Sequence, residues 1–169
     1  MKRLVILGAG GYGRTITDLA SQLQTYQVIC FLDDGQCGDE ILGKCENYYL
    51  FNDGNTDFYP AFGNNELRLS WIDRLEGQGV RIATLIHPTA YISPTASCAV
   101  GAVILPKAVV NTGSHIGRGC IINLGAMIDH DCVIGDGAHI CLGAIVKAEN
   151  HIPSMIKIEA GIIVENSTY

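Results

Sequence analysis

At 169 residues, with 48% hydrophobic and only 17% charged side chains, the chain holds one domain or two small ones with substantial apolar cores. A formal net charge of −6 and the lack of any basic run argue against nucleic acid, whose phosphates need a Lys/Arg footprint. No apolar stretch approaches the roughly 20 residues that span a bilayer, so membrane insertion is not expected, and the glycine-broken start reads as a strand and not as a signal peptide.

Leu4-Val5-Ile6-Leu7 predicts a short buried strand. Gly8-Ala9-Gly10-Gly11-Tyr12-Gly13 follows, and Arg14 to Leu23 has helical spacing. This is G-x-G-x-x-G between a strand and a helix, the context in which glycines let backbone approach a phosphate at a helix N-terminus. Gly8, Gly10, Gly11 and Gly13 are therefore candidate ligand-binding positions. The alternative is a ligand-free tight turn. Val28 to Leu32 predicts a second strand ending at Asp33-Asp34, about twenty residues past the loop, where an acid can accept hydrogen bonds from a ribose. A further strand is expected through Tyr59 to Phe62, then Gly63-Asn64-Asn65, a helix over Leu67 to Leu75, and a last strand over Val80 to Leu85. Residues 1–84 thus read as a truncated, Rossmann-like α/β nucleotide domain. A dinucleotide is possible, but a mononucleotide or nucleotide-sugar suits its half size better.

From Ile86 onward an aliphatic residue returns at every sixth position: Ile86, Ile92, Cys98, Ile104, Val110, Ile116, Ile122, Ile128, Ile134, Ile140, Val146, Ile152, Ile158 and Val164. Small residues usually follow four places later, from Ala90 to Ala144. Period six is the signature of hexapeptide repeats in a parallel β-helix, three hexads to a triangular coil. Residues 85–169 are assigned to it. Cys98, Cys120 and Cys132 fall on inward positions, and the seven cysteines show no C-x-x-C spacing, which points to a reduced, cytoplasmic protein.

Polar residues that interrupt this pattern are candidates for chemistry. His130 lies in Ile128-Asp129-His130-Asp131-Cys132, and a carboxylate such as Asp129 can hold the imidazole for general-base work. A solvated turn explains the same residues without chemistry. His139 follows nine residues later, half of an eighteen-residue coil, so the two histidines project from different sides of one prism; they do not easily meet within one subunit but could face each other across subunits. His115 and His151 lie two coils apart, which at ~4.8 Å per coil is too far for ligands at ~2.0–2.1 Å from one metal. No metal is expected within a chain.

Five segments together resemble one family. Gly8-Ala9-Gly10-Gly11, Phe31-Leu32-Asp33-Asp34, Ala61-Phe62-Gly63-Asn64-Asn65, Ile86-His87-Pro88-Thr89-Ala90 and Ile128-Asp129-His130-Asp131-Cys132, in that order, resemble the bacterial sugar acyltransferases of the sialic acid O-acetyltransferase and bacillosamine-pathway N-acetyltransferase type. The resemblance runs from residue 2 to about 147. It implies a homotrimer, a left-handed hand for the β-helix, acetyl-CoA between adjacent prisms, and a nucleotide-sugar or sialic-acid-type substrate. It implies His130 as the catalytic base and Asp129 as its acid, with Asn123 and Asn64 toward the sugar and His139 and Gly143 toward the coenzyme.

The chain departs from the family pattern at Tyr12-Gly13-Arg14, where His-Gly-Lys is usual. It departs again after Lys147, where the fifth positions become Ile156, Ile162 and Thr168 and the last coil is expected to be an atypical cap. The expected activity is acetyl transfer to an amino or hydroxyl group of a sugar. The alternatives are a sugar-nucleotide-binding or scaffold trimer without a coenzyme site, and a γ-type carbonic anhydrase-like enzyme with three histidines converging between subunits.

Overall fold

The computed structural model describes the backbone of residues 1–169 and every side chain except those of residues 27 and 28. The chain divides into two units, Met1–Ala83 and Thr84–Tyr169.

In the first unit a three-stranded parallel sheet has the order β2-β1-β3, with β1 (Lys2–Leu7), β2 (Tyr26–Leu32) and β3 (Thr56–Pro60). Leu4 to Leu7 are all buried, as a central parallel strand requires on both faces. Helix α1 (Gly11–Gln22) joins β1 to β2, and α2 (Asn65–Gly77) follows β3. A 3-10 segment, Cys45–Phe51, packs Cys45 and Tyr48 into this core.

Two elements differ from the sequence expectation. The third strand starts at Thr56, not Tyr59, and stops before Phe62. Its polar beginning hid it: Asp57 is buried, with Lys2 Nζ at 3.1 Å and Arg81 Nε at 2.8 Å supplying the opposite charge. Residues 80–84 form no strand of their own. They make a single bridge, Phe58 to Ile82, while Leu85–Ile86 already belongs to the second unit.

The second unit is a left-handed parallel β-helix with three faces. The first carries Leu85–Ile86, Val103–Ile104, Ile121–Ile122, His139–Ile140 and Lys157–Ile158. The second carries Tyr91–Ile92, Val109–Val110, Met127–Ile128, Ile145–Val146 and Ile163–Val164. The third carries Ser97–Cys98, His115–Ile116, Val133–Ile134 and His151–Ile152. Strands of successive coils pair eighteen residues apart, as Leu85 does with Val103. The second residue of each pair points inward, and the small residue four places later fills the corner beside it. Together they form one continuous core from Ala102 to Val164. Pairing stays in register through Ile163–Val164, although Ile156 is only partly buried and Ile162 is half exposed.

Each inward Ile or Val removed from water contributes about 1.5–3 kcal/mol, in addition to the backbone bonds that join successive coils. Truncating one in the middle also leaves a cavity. Ile122→Ala should therefore lower the unfolding free energy by about 2–5 kcal/mol in a urea titration followed by circular dichroism. A loss below about 1 kcal/mol would mean that the inward column is not what holds the coils together.

Candidate functional site

The first unit presents a glycine loop whose four glycines differ in kind. Gly8 adopts φ +100°, and a Cβ there would lie 3.1 Å from the Ala61 carbonyl oxygen. A Cβ on Gly13 would sit 2.1 Å from the Gly8 carbonyl oxygen. The fold itself therefore demands Gly8 and Gly13. Gly10 has open space where a side chain would go, and Gly11 has only the Arg14 guanidinium at 3.9 Å. Gly10 is also the N-cap of α1, with no side-chain cap and no acidic residue in the first turn. The free N–H groups and the positive end of the helix dipole face that space, a ready environment for a phosphate.

Asp33 sets this loop in place. Its Oδ2 accepts from the Ala9 N–H at 2.7 Å, and its Oδ1 accepts from the N–H groups of Gly35 and Gln36 at 2.8 and 2.7 Å. Burial pushes its carboxyl up, but the three backbone hydrogen bonds outweigh that and hold it below the usual range. A ribose would have to share oxygens that already serve the loop. Asp34 accepts from the Cys45 N–H at 3.0 Å. Asn64 caps α2, accepting from the Leu67 N–H at 2.8 Å. A depression of about 370 Å³ is lined by Gly10, Gly11, Tyr12, Asp33, Phe62 and Asn64. The Tyr12 hydroxyl hydrogen-bonds the Tyr59 hydroxyl at 2.8 Å.

In the second unit the polar residues gather at two corners flanking one strand of the second face. One corner carries Asn123 and the next carries His130, with Met127–Ile128 between them. Asn123 Nδ2 lies 3.0 Å from His139 Nε2, and its Oδ1 accepts from the Leu124 N–H. The structure thus joins Asn123 to His139 and keeps both away from His130, on the opposite border of the face. Gly143 (φ +62°) leaves open space at its corner, while its own N–H is spent on the Leu124 carbonyl.

The acid that holds His130 is not the expected one. Asp131 Oδ2 lies 2.8 Å from His130 Nδ1. Asp129 instead accepts from the His130 backbone N–H at 2.8 Å and from Asn111 Nδ2 at 3.2 Å. Conformation decides between the two. Asp131 stands at φ +55°, in the left-handed region, which folds its side chain back against the imidazole. In Asp-His-Asp the two acids are equivalent by sequence, so no pattern distinguishes them. The hydrogen bond to the Asp131 carboxylate raises the His130 pKa above its ordinary value, opposed by desolvation and supported by the charges of Asp129, Asp131 and Glu149. Asp129 itself is held low, chiefly by the His130 backbone N–H.

The outer positions of the second face are apolar throughout: Tyr91, Val109, Met127, Ile145 and Ile163. Tyr91 and Ile163 are about half exposed, at 54% and 51%. A depression of about 300 Å³ lies here, bordered by Val109, Asn111, Met127, Asp129 and Ile145. Among the described residues no group of three His, Cys, Asp or Glu side chains is placed to hold a metal ion, and no helix is long and apolar enough to cross a membrane.

Comparison with known proteins agrees with both halves. Residues 3–75 match the family model described as the PglD N-terminal domain. The acetyltransferase domain of PglB from Neisseria gonorrhoeae FA1090 superposes with a TM-score of 0.86 at 30% identity, covering 98% of this chain and 92% of that one. The same domain in complex with acetyl coenzyme A matches equally well, at 29% identity, over 98% and 93% of the two chains. PerB from Caulobacter crescentus, in complex with CoA and GDP-perosamine, shares the fold with a TM-score of 0.84 at 23% identity, over 98% and 89% of the two chains. The match to the Neisseria domain spans nearly the full length of both chains, and with it the chain belongs to the hexapeptide-repeat bacterial sugar acyltransferases.

Proposed function

We propose that the chain is a cytoplasmic, homotrimeric, acetyl-CoA-dependent acetyltransferase that acylates an amino or hydroxyl group of a nucleotide-linked or sialic-acid-type sugar. The observation that carries this reading is the His130–Asp131 pair on a corner that borders an exposed apolar face. Two neighbours support it by what they bind: acetyl coenzyme A in the Neisseria domain, and CoA with GDP-perosamine in PerB.

His130 Nε2 takes the proton from the sugar amine or hydroxyl as that group attacks the thioester carbonyl. The carbonyl carbon becomes tetrahedral, its oxygen gains negative charge, and the C–S bond then breaks to release the coenzyme thiol with the proton. Asp131 holds Nδ1, fixing the tautomer that leaves Nε2 free as the acceptor. A hydrogen-bond donor beside the acetyl group, in the region of His139, stabilises the oxyanion.

The apolar outer face supports the trimer. Five stacked outer positions without one polar residue leave a stripe that water solvates poorly, and burying it against other copies removes that cost. Asn123 and His130 border opposite edges of that face, so a site completed between two chains brings together what one chain keeps apart. The seven free cysteines fit a reducing compartment. The glycine loop takes the diphosphate of the nucleotide-sugar, since Gly10 and Gly11, unlike Gly8 and Gly13, have no structural need to be glycine.

His130→Ala should fold and assemble normally, because its side chain is exposed, yet lose about 10²–10⁴ in transfer rate. The base works only when neutral and its pKa is raised. The acid limb of kcat/KM should therefore lie above the ordinary imidazole value of about 6.5, and Asp131→Asn should move it down. Transfer within threefold of wild type in His130→Ala, or an acid limb indifferent to Asp131→Asn, removes the pair from the mechanism.

Gly10→Val places a branched side chain in the open space proposed for the phosphates, where its Cβ meets nothing within 4 Å. Calorimetry should show nucleotide-sugar binding weakened at least tenfold, about 1.4 kcal/mol. Unchanged affinity in the folded variant would reduce the loop to a turn.

Light scattering at micromolar concentration should give the mass of three chains, and Met127→Glu should dissociate them by placing a charge in the apolar stripe. A stable wild-type monomer would sink the shared site.

A further inference from the structure

The corner that carries His130 is built on the coil beneath it. Ser114, fully buried one coil earlier, donates its hydroxyl to the Asp129 carbonyl and accepts from the Cys132 N–H at 3.0 Å. The Asp131 N–H donates to the Thr112 carbonyl at 2.8 Å. These bonds hold the backbone of residues 129–132 from below. They do not hold the Asp131 carboxylate, whose placement against His130 needs a separate explanation.

Gly113 lies directly beneath that carboxylate. A Cβ on Gly113 would lie 2.4 Å from Asp131 Oδ1, whereas the nearest backbone atom, the Asp131 nitrogen, would be at 3.8 Å. Other glycines of the β-helix differ. At Gly117 a Cβ would strike the Ile134 carbonyl oxygen at 2.7 Å, so the fold requires that glycine. At Gly125, Gly143 and Gly161 nothing lies within 4 Å. Left-handed backbone alone does not force glycine at Gly113 either, since Lys107, Glu149, Met155 and Ser167 occupy that conformation at other corners. What excludes a side chain at Gly113, beyond its φ of +68°, is the carboxylate above it.

The geometry points to Gly113 as a positioning residue for acetyl transfer: its missing side chain is the seat in which Asp131 Oδ1 lies while Oδ2 holds His130 Nδ1. This rests on the reading of His130 as the base. A methyl group at Gly113 meets only the far end of a side chain, which can swing away. The seat would be lost with the coil still standing, and Oδ1 would move by about one ångström to reach ordinary contact distance. Displacements of that size cost up to about 10² in rate where a group must be aligned. The charges facing His130 are those of Asp129, Asp131 and Glu149. Of these three, Gly113→Ala strikes only Asp131.

The test compares Gly113→Ala with Gly161→Ala in the full chain. Gly161 has a similar left-handed φ of +71° and open space around it, so the second variant reproduces the backbone strain without touching a carboxylate. The His130 imidazole is titrated by NMR without substrate, and transfer is measured separately. In Gly113→Ala the His130 titration should fall toward about 6.5, as it does in Asp131→Asn, and the two changes combined should fall no further. Transfer should drop about ten- to a hundredfold in Gly113→Ala. Gly161→Ala should leave both readouts at wild type. A His130 titration unmoved by Gly113→Ala, or moved equally by Gly161→Ala, overturns the seat. A lowered titration with full transfer activity upholds the seat and overturns His130 as the base. If Gly113→Ala does not fold, adding Asp131→Gly should restore folding by removing the collision, and failure to do so also overturns the seat.

Discussion

One branched side chain buried at every sixth residue is the constraint on which the second unit depends. The column from Ile104 to Val164 fixes the phase of every coil, and parallel pairing eighteen residues apart allows no slip. A register shift of one residue would turn each Ile or Val outward and lose the core along the whole prism. Because the column and the backbone bonds carry the cohesion, the corner residues between strands are freed from packing. Asp129, His130 and Asp131 can all be polar, the last two exposed and the first half-buried, without unravelling the coil. The same rigidity fixes their separations, so the hydrogen bond from His130 Nδ1 to the Asp131 carboxylate forms within the corner itself.

The first unit solves a related problem by other means. Its glycine loop has no hydrophobic column to hold it, so a single carboxylate does so through three backbone N–H groups. Asp33 takes donors from the loop and from the turn after β2, and leaves the first turn of α1 uncapped. A side chain at the end of one strand thus shapes the end of another and leaves the helix dipole open to a ligand. Gly8 and Gly13 admit the close backbone approaches this needs, and Gly10 keeps the way to the helix clear.

Periodicity made the prism legible from sequence because each inward position reports the same physical requirement, and fourteen repetitions of it leave little room for another fold. The glycine loop was legible for a similar reason, its strand–turn–helix context being local. What stayed hidden depends on contacts between coils or on compensated polarity. Strand β3 begins with Thr56 and Asp57, polar residues that read as loop until Lys2 and Arg81 are seen to neutralise the carboxylate. The choice of Asp131 over Asp129 at His130 follows from one left-handed φ angle, which sequence does not display. Gly113 looks like any turn glycine, and only its Cβ distance to a carboxylate eighteen residues away distinguishes it.

Three acids facing one imidazole carry a cost as well as a benefit. Asp129, Asp131 and Glu149 all favour the protonated ring, which reduces the neutral fraction available at pH 7 in a chain already at −6. A base whose pKa rises also pulls a proton more strongly, and the two effects offset one another near neutrality. Charge alone therefore gives little net advantage, and a diffuse acidic surface would do as well. What a surface cannot supply is direction. Of the three acids Asp131 is the one hydrogen-bonded to the ring, at Nδ1, and that contact selects the tautomer with the proton on Nδ1 and leaves Nε2 as the acceptor. The value of the pair lies in orientation, so the features that fix the carboxylate matter more to this site than the number of acids around it.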